Sequence, residues 1–289
     1  MDHIQTGWED ALRSFSPYVE GKHHVECYQA EHTLTDQLQR IMALSDPGKA
    51  RTTEIGQVRG LDLLSIRIKF DFPDTLIFDA ENLAKYELLF RYILRLVDFS
   101  RELSRPDDFR GASKGLQKSL LILRRQMLHF VSSLHQYLAY EVIEPQWEAL
   151  AKAIPAASGM DSIVKLHTQF IDACLRQAML TNAKLVQIAN VLFTQCQRLL
   201  SIRTEGLGSA DAPAKLAGVQ SAFNKAMRMF LEALQYYSSR DYDYHLGTLF
   251  SRLDYSSFYY ATSFGADGTI ALPNGEIGDR RTTFGASVP

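Results

Sequence analysis

The sequence predicts an all-α protein: a mainly helical bundle with one short β strand or hairpin, folded as a single elongated domain of long packed helices. Three observations carry this. Apolar residues recur at spacings of three and four through most of the chain, the period of a helix with one buried face. Clusters of Pro and Gly cut these stretches into separate helices. Only one stretch alternates apolar and polar residues in the period-two pattern of a strand.

Taken in order, residues 1–23 have little periodicity, with Pro17 and Gly21 breaking any helix, and read as a weakly ordered leader. A first helix is expected from Val25 to Leu44, where Leu34, Leu38, Ile41 and Met42 share a face, stopped by Asp46-Pro47-Gly48. Ile66, Ile68, Phe70 and Phe72 then alternate with Arg67, Lys69 and Asp71, a half-buried strand ended by Pro73. A lone strand or hairpin must dock on helices to be stable. Asp79 is a good N-cap, and Leu83, Tyr86, Phe90, Ile93, Leu94 and Val97 make the next apolar stripe. A polar loop runs from Ser104 to Gly115.

Leu120, Leu123, Met127, Phe130, Val131, Leu134, Tyr137 and Leu138 mark the main helix, expected from Ser113 to Glu144, where Pro145 forbids its continuation. It would be roughly 45 Å long, a spine of the fold. A short helix carries Trp147 and Leu150. Two more follow, one through Ile163, His167, Phe170 and Cys174, the other from Leu185 to Leu200 with Thr181 or Asn182 as cap. After a linker, Leu216 to Tyr237 and Leu246 to Phe250 form the last two. The composition from Gly265 onward reads as a disordered tail. The ordered unit is therefore expected to be one helical domain over 24–263, with residues 264–289 as tail.

Bulk chemistry narrows the function. A net charge of −2 supplies no excess of Lys and Arg for a nucleic-acid surface. No apolar run approaches the roughly 18 residues of a membrane span, and the acidic, interrupted start is unlike a signal peptide. Three cysteines, Cys27, Cys174 and Cys196, imply no disulfide framework and fit a reducing compartment.

Catalytic signals are weak. Gly111-Ala-Ser113-Lys-Gly115 spells a nucleophile elbow, but no core strand precedes it to hold Ser113 on a strained turn. His23, His24, Cys27 and His32 cluster near a helix start, with His23 and His24 each sharing a helical face with Cys27. Zinc sites usually bring two ligand pairs, and there is no second pair. His129 and His167 sit in apolar helical stretches as core histidines. Glu87, Arg91 and Arg95 read as an exposed ion-pair ladder, or else as a polar contact strip. Tyr236, Tyr237, Tyr242, Tyr244, Tyr255, Phe258, Tyr259, Tyr260 and Phe264 crowd the C-terminal end, with half expected buried and half at a contact. Arg252 and Asp254 are expected to pair and orient the chain as it leaves the final helix. No catalytic residue, cofactor or metal site is expected.

One ordered set of words is more specific. Gly60 to Pro73 holds a short extended run before a proline. Leu83-Ala-Lys85-Tyr86-Glu-Leu-Leu-Phe90-Arg91, Leu123-Arg124-Arg-Gln-Met127-Leu-His-Phe130-Val and the run from Tyr137 to Trp147 follow. His167-Thr-Gln-Phe170-Ile-Asp-Ala-Cys174-Leu, Met179-Leu-Thr-Asn182 and Arg252-Leu-Asp254-Tyr255-Ser-Ser-Phe258-Tyr259 complete the set. Over about residues 25 to 262 the chain resembles the C-terminal half of the gamma-tubulin complex proteins, of the component 2 type. It departs from them after Phe90, where Leu96 to Pro106 lacks the family's tryptophan, and beyond Thr262.

The resemblance implies an all-helical domain that binds gamma-tubulin, in company with other gamma-tubulin complex components. It implies a place in the cytoplasm at a microtubule-organising centre, a spindle pole body or centrosome. The N-terminal half that makes lateral contacts in the family has no counterpart here, so binding without lateral assembly is expected. The residues expected to meet a protein partner are Tyr86, Arg91, Arg95, Arg252, Asp254, Tyr255, Phe258 and Tyr259. The alternatives are a helical scaffold of the same fold that no longer binds gamma-tubulin, or a serine hydrolase acting through Ser113.

Overall fold

The computed structural model describes residues 24–30, 34, 37–38, 64–106, 113–205, 209, 211–240, 244–255, 259, 270–271 and 277–278. Two strands open it. β1 (His24–Gln29) pairs antiparallel with β2 (Leu64–Lys69), His24 opposite Lys69 and Gln29 opposite Leu64. The helix expected from Val25 is therefore a strand over its first residues. The three-and-four spacing of Leu34 and Leu38 holds only further on, where both are buried and helical. The reason is nonlocal, since β2 alone would leave its backbone ladder unpaired, and its complement lies about forty residues earlier. With β1 extended, the helical face-sharing of Cys27 with His23 and His24 is lost, and His23 itself lies outside the described residues.

Helices follow: α1 (Ala80–Ser104), α2 (Lys114–Gln136), α3 (Glu144–Ala153), α4 (Met160–Gln177), α5 (Ala183–Glu205), α6 (Ala212–Arg240) and α7 (Tyr244–Leu253). α1 begins at Asp79, whose Oδ1 accepts the Asn82 N–H at 2.7 Å, one of the four donors a helix start leaves free. Ser113 does the same for α2, accepting the Leu116 N–H at 3.3 Å. The serine of the apparent nucleophile elbow is thus a helix cap with its oxygen engaged.

α2 is the spine the periodicity foretold. It contacts α1, α6 and α7. Leu120, Leu123, Met127, Phe130, Val131 and Leu134 have no exposed surface. The Phe130 ring lies 5.9 Å from Phe193 of α5, 6.4 Å from Phe223 and 5.9 Å from Phe230 of α6, centroid to centroid. Tilted and edge-on pairs at these separations contribute beyond the area they bury.

The rod does not stop at Pro145. Tyr137–Ile143 winds as a π-helix, with the Glu144 N–H reaching the Ala139 carbonyl, and α3 continues directly from it. Proline breaks a helix by lacking an N–H and by crowding the carbonyl four residues back. The wider turn resets the ladder just before Pro145, which then occupies the first turn of α3, where no donor is required.

The Met179-Leu-Thr-Asn182 word has a mechanical reading. Met179 takes a left-handed conformation at φ 64°, the Leu180 N–H returns to the Leu175 carbonyl and the Met179 N–H to that of Arg176. That is the double bond pattern of a Schellman stop, with buried Met179 in the place glycine usually holds. Asn182 then caps α5, accepting the N–H groups of Lys184 and Leu185 at 3.1 and 3.2 Å. In the segment expected to be a disordered tail, Ile270–Ala271 pairs antiparallel with Ile277–Gly278.

Candidate interaction surface

The residues expected at a protein contact fall into two groups. The first joins the segment after β2, α1 and α4. The Phe70 and Phe78 rings stack 4.2 Å apart, and Phe78 meets His167 edge-on at 4.8 Å. The Tyr86 hydroxyl lies 2.9 Å from Nε2 of His167. One turn earlier on α1, Asn82 Nδ2 donates to Thr168 Oγ1 at 3.3 Å. Lys85 Nζ stands 2.8 Å from both Glu81 and Asp172. Burial pulls its pKa down, but the bonds to Asp172 and Glu81 outweigh that and hold it above the ordinary value. His167 is buried, as expected, and burial lowers its pKa against a weaker upward pull from Asp79. Burial likewise pushes Tyr86 up to about 12.

Arg91 and Arg95 continue this internal seam. The ladder expected on the surface is turned inward: Arg91 is 4 % exposed, 2.8 Å from Gln37 Oε1 and 3.8 Å from Glu87 Oε1. Arg95 donates to Asn190 Oδ1 at 3.2 Å, with its guanidinium 5.2 Å from the Phe193 ring centre. A rigid planar guanidinium suits such sites, pairing at its edge while its face stacks. Spacing along α1 alone could not reveal this, because α5 and the segment holding Gln37 supply the cover.

The second group docks α7 onto the π-helix. Glu141 accepts from the Thr248 hydroxyl at 2.7 Å and from Arg252 Nη2. Arg252 was expected to pair with Asp254; the partner the structure places on it is Glu141. Asp254 is buried and accepts the Tyr259 N–H at 3.1 Å, folding the exit of α7 back on itself. Tyr259 is buried too, and burial, with Asp254 adding and Arg228 opposing, raises it to about 12. Tyr255 is 92 % exposed. Phe258 lies outside the described residues.

Sequence reasoning passed over two residues here. Tyr140 in the π-helix is 67 % exposed and Trp147 of α3 is 56 % exposed, its ring edge-on to Phe170 at 6.2 Å. The signal was present in the aromatic type itself, since a large ring at the polar side of a helical stripe is unusual. Glu144 and Glu148 are exposed on the same stretch of rod.

Among the described residues no three His, Cys, Asp or Glu side chains gather as a metal site, and no helix is long and apolar enough to cross a membrane. Burial pushes the thiols of Cys174 and Cys196 up to about 12, which keeps them protonated and poor nucleophiles.

The described residues thus build a helical bundle that leaves Tyr140, Trp147 and Tyr255 exposed. The family described as Gamma tubulin complex component C-terminal matches residues 3–259, and the chain belongs to it. It is similar to mouse Gamma-tubulin complex component 2, 27% identical over 79% of this chain and 32% of that protein. It is similar to Spindle pole body component alp4 of Schizosaccharomyces pombe, 28% identical over 54% of this chain and 22% of the other. With Gamma-tubulin complex component 4 of Arabidopsis thaliana it shares 24% identity over 78% of this chain and 34% of that one. The chain spans about a third or less of the length of these relatives.

Proposed function

We propose that this chain is a gamma-tubulin-binding component of a microtubule-nucleating complex at microtubule-organising centres, working with other gamma-tubulin complex components. The observation that carries the reading is the family match over residues 3–259, a span that contains the helical bundle built on α2. It acts by binding rather than by catalysis, in keeping with Ser113 serving as a cap and the thiols held protonated. It needs no cofactor.

The test is a pull-down of purified gamma-tubulin on the immobilised chain, with and without a chelator. Saturable capture that ignores the chelator is expected. Absence of capture at micromolar concentrations favours the scaffold that has kept the fold and lost the partner. Labelling of Ser113 by an active-site serine probe, lost in Ser113→Ala, would overturn the non-catalytic reading.

A further inference from the structure

We infer that the face formed by Tyr140, Glu144, Trp147 and Glu148, at helical spacing along one rod, is where this chain meets gamma-tubulin, through a patch of that partner bearing arginine or lysine among apolar groups. The inference rests on the function proposed above and adds the surface and its chemistry.

Three features converge on this face. Tyr140 is carried by the π-helix, a wide turn that is uncommon and frequently sits at functional sites. The turn is not loose. Glu141 points back to accept from Thr248 and Arg252, so its neighbour Tyr140 is presented on a fixed backbone. Fixed aromatics lose little freedom on binding and are over-represented among the residues that dominate interfaces.

The second feature is the bareness of the rings. Tyr140, Trp147 and Tyr255 are each more than half exposed, while the other large rings on α2, α5 and α6, Tyr236 apart, pack into the core. Trp147 packs across Phe170 and still leaves about half of its surface to solvent. Scattered exposed aromatics need no explanation, but Tyr140 and Trp147 stand two turns apart on one rod with the exposed carboxylates of Glu144 and Glu148 alongside, an apolar patch of the kind that marks a contact.

Charge then selects the partner. Glu141 is closed on Arg252, which leaves Glu144 and Glu148 as the exposed carboxylates of the face, with Lys152 the cation paired to Glu148. The Glu148–Lys152 pair at 3.1 Å is solvent-exposed and contributes little, so it can be exchanged for a partner's cation. Aromatic faces are themselves electronegative and attract guanidinium and ammonium groups. Carboxylates and rings therefore ask for the same complement, a cation with an apolar stem.

The experiment measures affinity of the purified chain for purified gamma-tubulin, at low and high salt, for four variants. Tyr140→Ala/Trp147→Ala is expected to weaken binding by about 30-fold or more. Glu144→Lys, at an exposed position that packing does not constrain, should weaken it by about 5-fold and flatten its salt dependence. Glu148→Lys should act in the same direction, whereas Val191→Ala, exposed on α5, should bind as the parent does. If the parent chain fails to bind, the function proposed above falls and this surface with it. If the parent binds and the charge-reversed and aromatic variants match it within about 2-fold, the function stands and this assignment is overturned.

Discussion

Arg252 of α7 and Glu141 of the π-helix, 111 positions apart, form an ion pair that fastens the last described helix to the spine of the bundle. Thr248 supplies the second bond to the same carboxylate. Both charged groups are partly buried, so the pair is screened less than a surface bridge.

Loss of the two partners should therefore be unequal. Glu141→Ala removes the partner of Arg252 and one of two acceptors within reach of the Thr248 hydroxyl, the other being the His245 carbonyl at 2.7 Å, and is expected to cost about 1–3 kcal/mol. Arg252→Ala leaves Thr248 in place and should cost less. Urea unfolding monitored by circular dichroism gives both values. Equal costs for the two variants would mean that the Thr248 bond contributes nothing.

Leu134 has no exposed surface and sits mid-spine between Phe130 and Tyr137. Leu134→Ala is expected to cost roughly 2–5 kcal/mol through lost burial and a cavity that cannot fully collapse. A change below about 0.5 kcal/mol, the size typical of a surface position, would contradict the place of α2 at the centre.

His167 gives the bundle a pH dependence with a defined sign. Burial holds its folded pKa below the ordinary 6.5, so the neutral ring is the form the fold prefers. The stability this supplies is present above that ordinary value and is lost as pH falls through the lowered one. His167→Gln, neutral throughout, should lose less stability than the parent between pH 7.5 and pH 5. Parallel losses would place the titration elsewhere.

Much of the bundle was legible because helix period and caps are local properties. The stripe through Leu134, the cap at Asp79 and the cap at Asn182 are all written in adjacent residues. Three things were not. β1 hides in a stretch whose neighbours Leu34 and Leu38 are helical, and only its distant complement in β2 makes it a strand. Pro145 reads as a stop, because a π-turn that prepares its place leaves no mark in composition. Arg91 and Arg95 read as surface charge because their cover comes from Gln37, Asn190 and Phe193, far along the chain. The candidate contact was half legible: Tyr255 and Arg252 were found in the aromatic end, whereas Tyr140 and Trp147 were absorbed into the helical pattern around them.

The most direct measurement is sedimentation velocity of the purified chain mixed with purified gamma-tubulin at micromolar concentration, with neither nucleotide nor metal added beyond what gamma-tubulin carries. The account predicts a single faster boundary at equimolar mixing, with the mass of a one-to-one complex. Two boundaries, each sedimenting as it does alone, would contradict it.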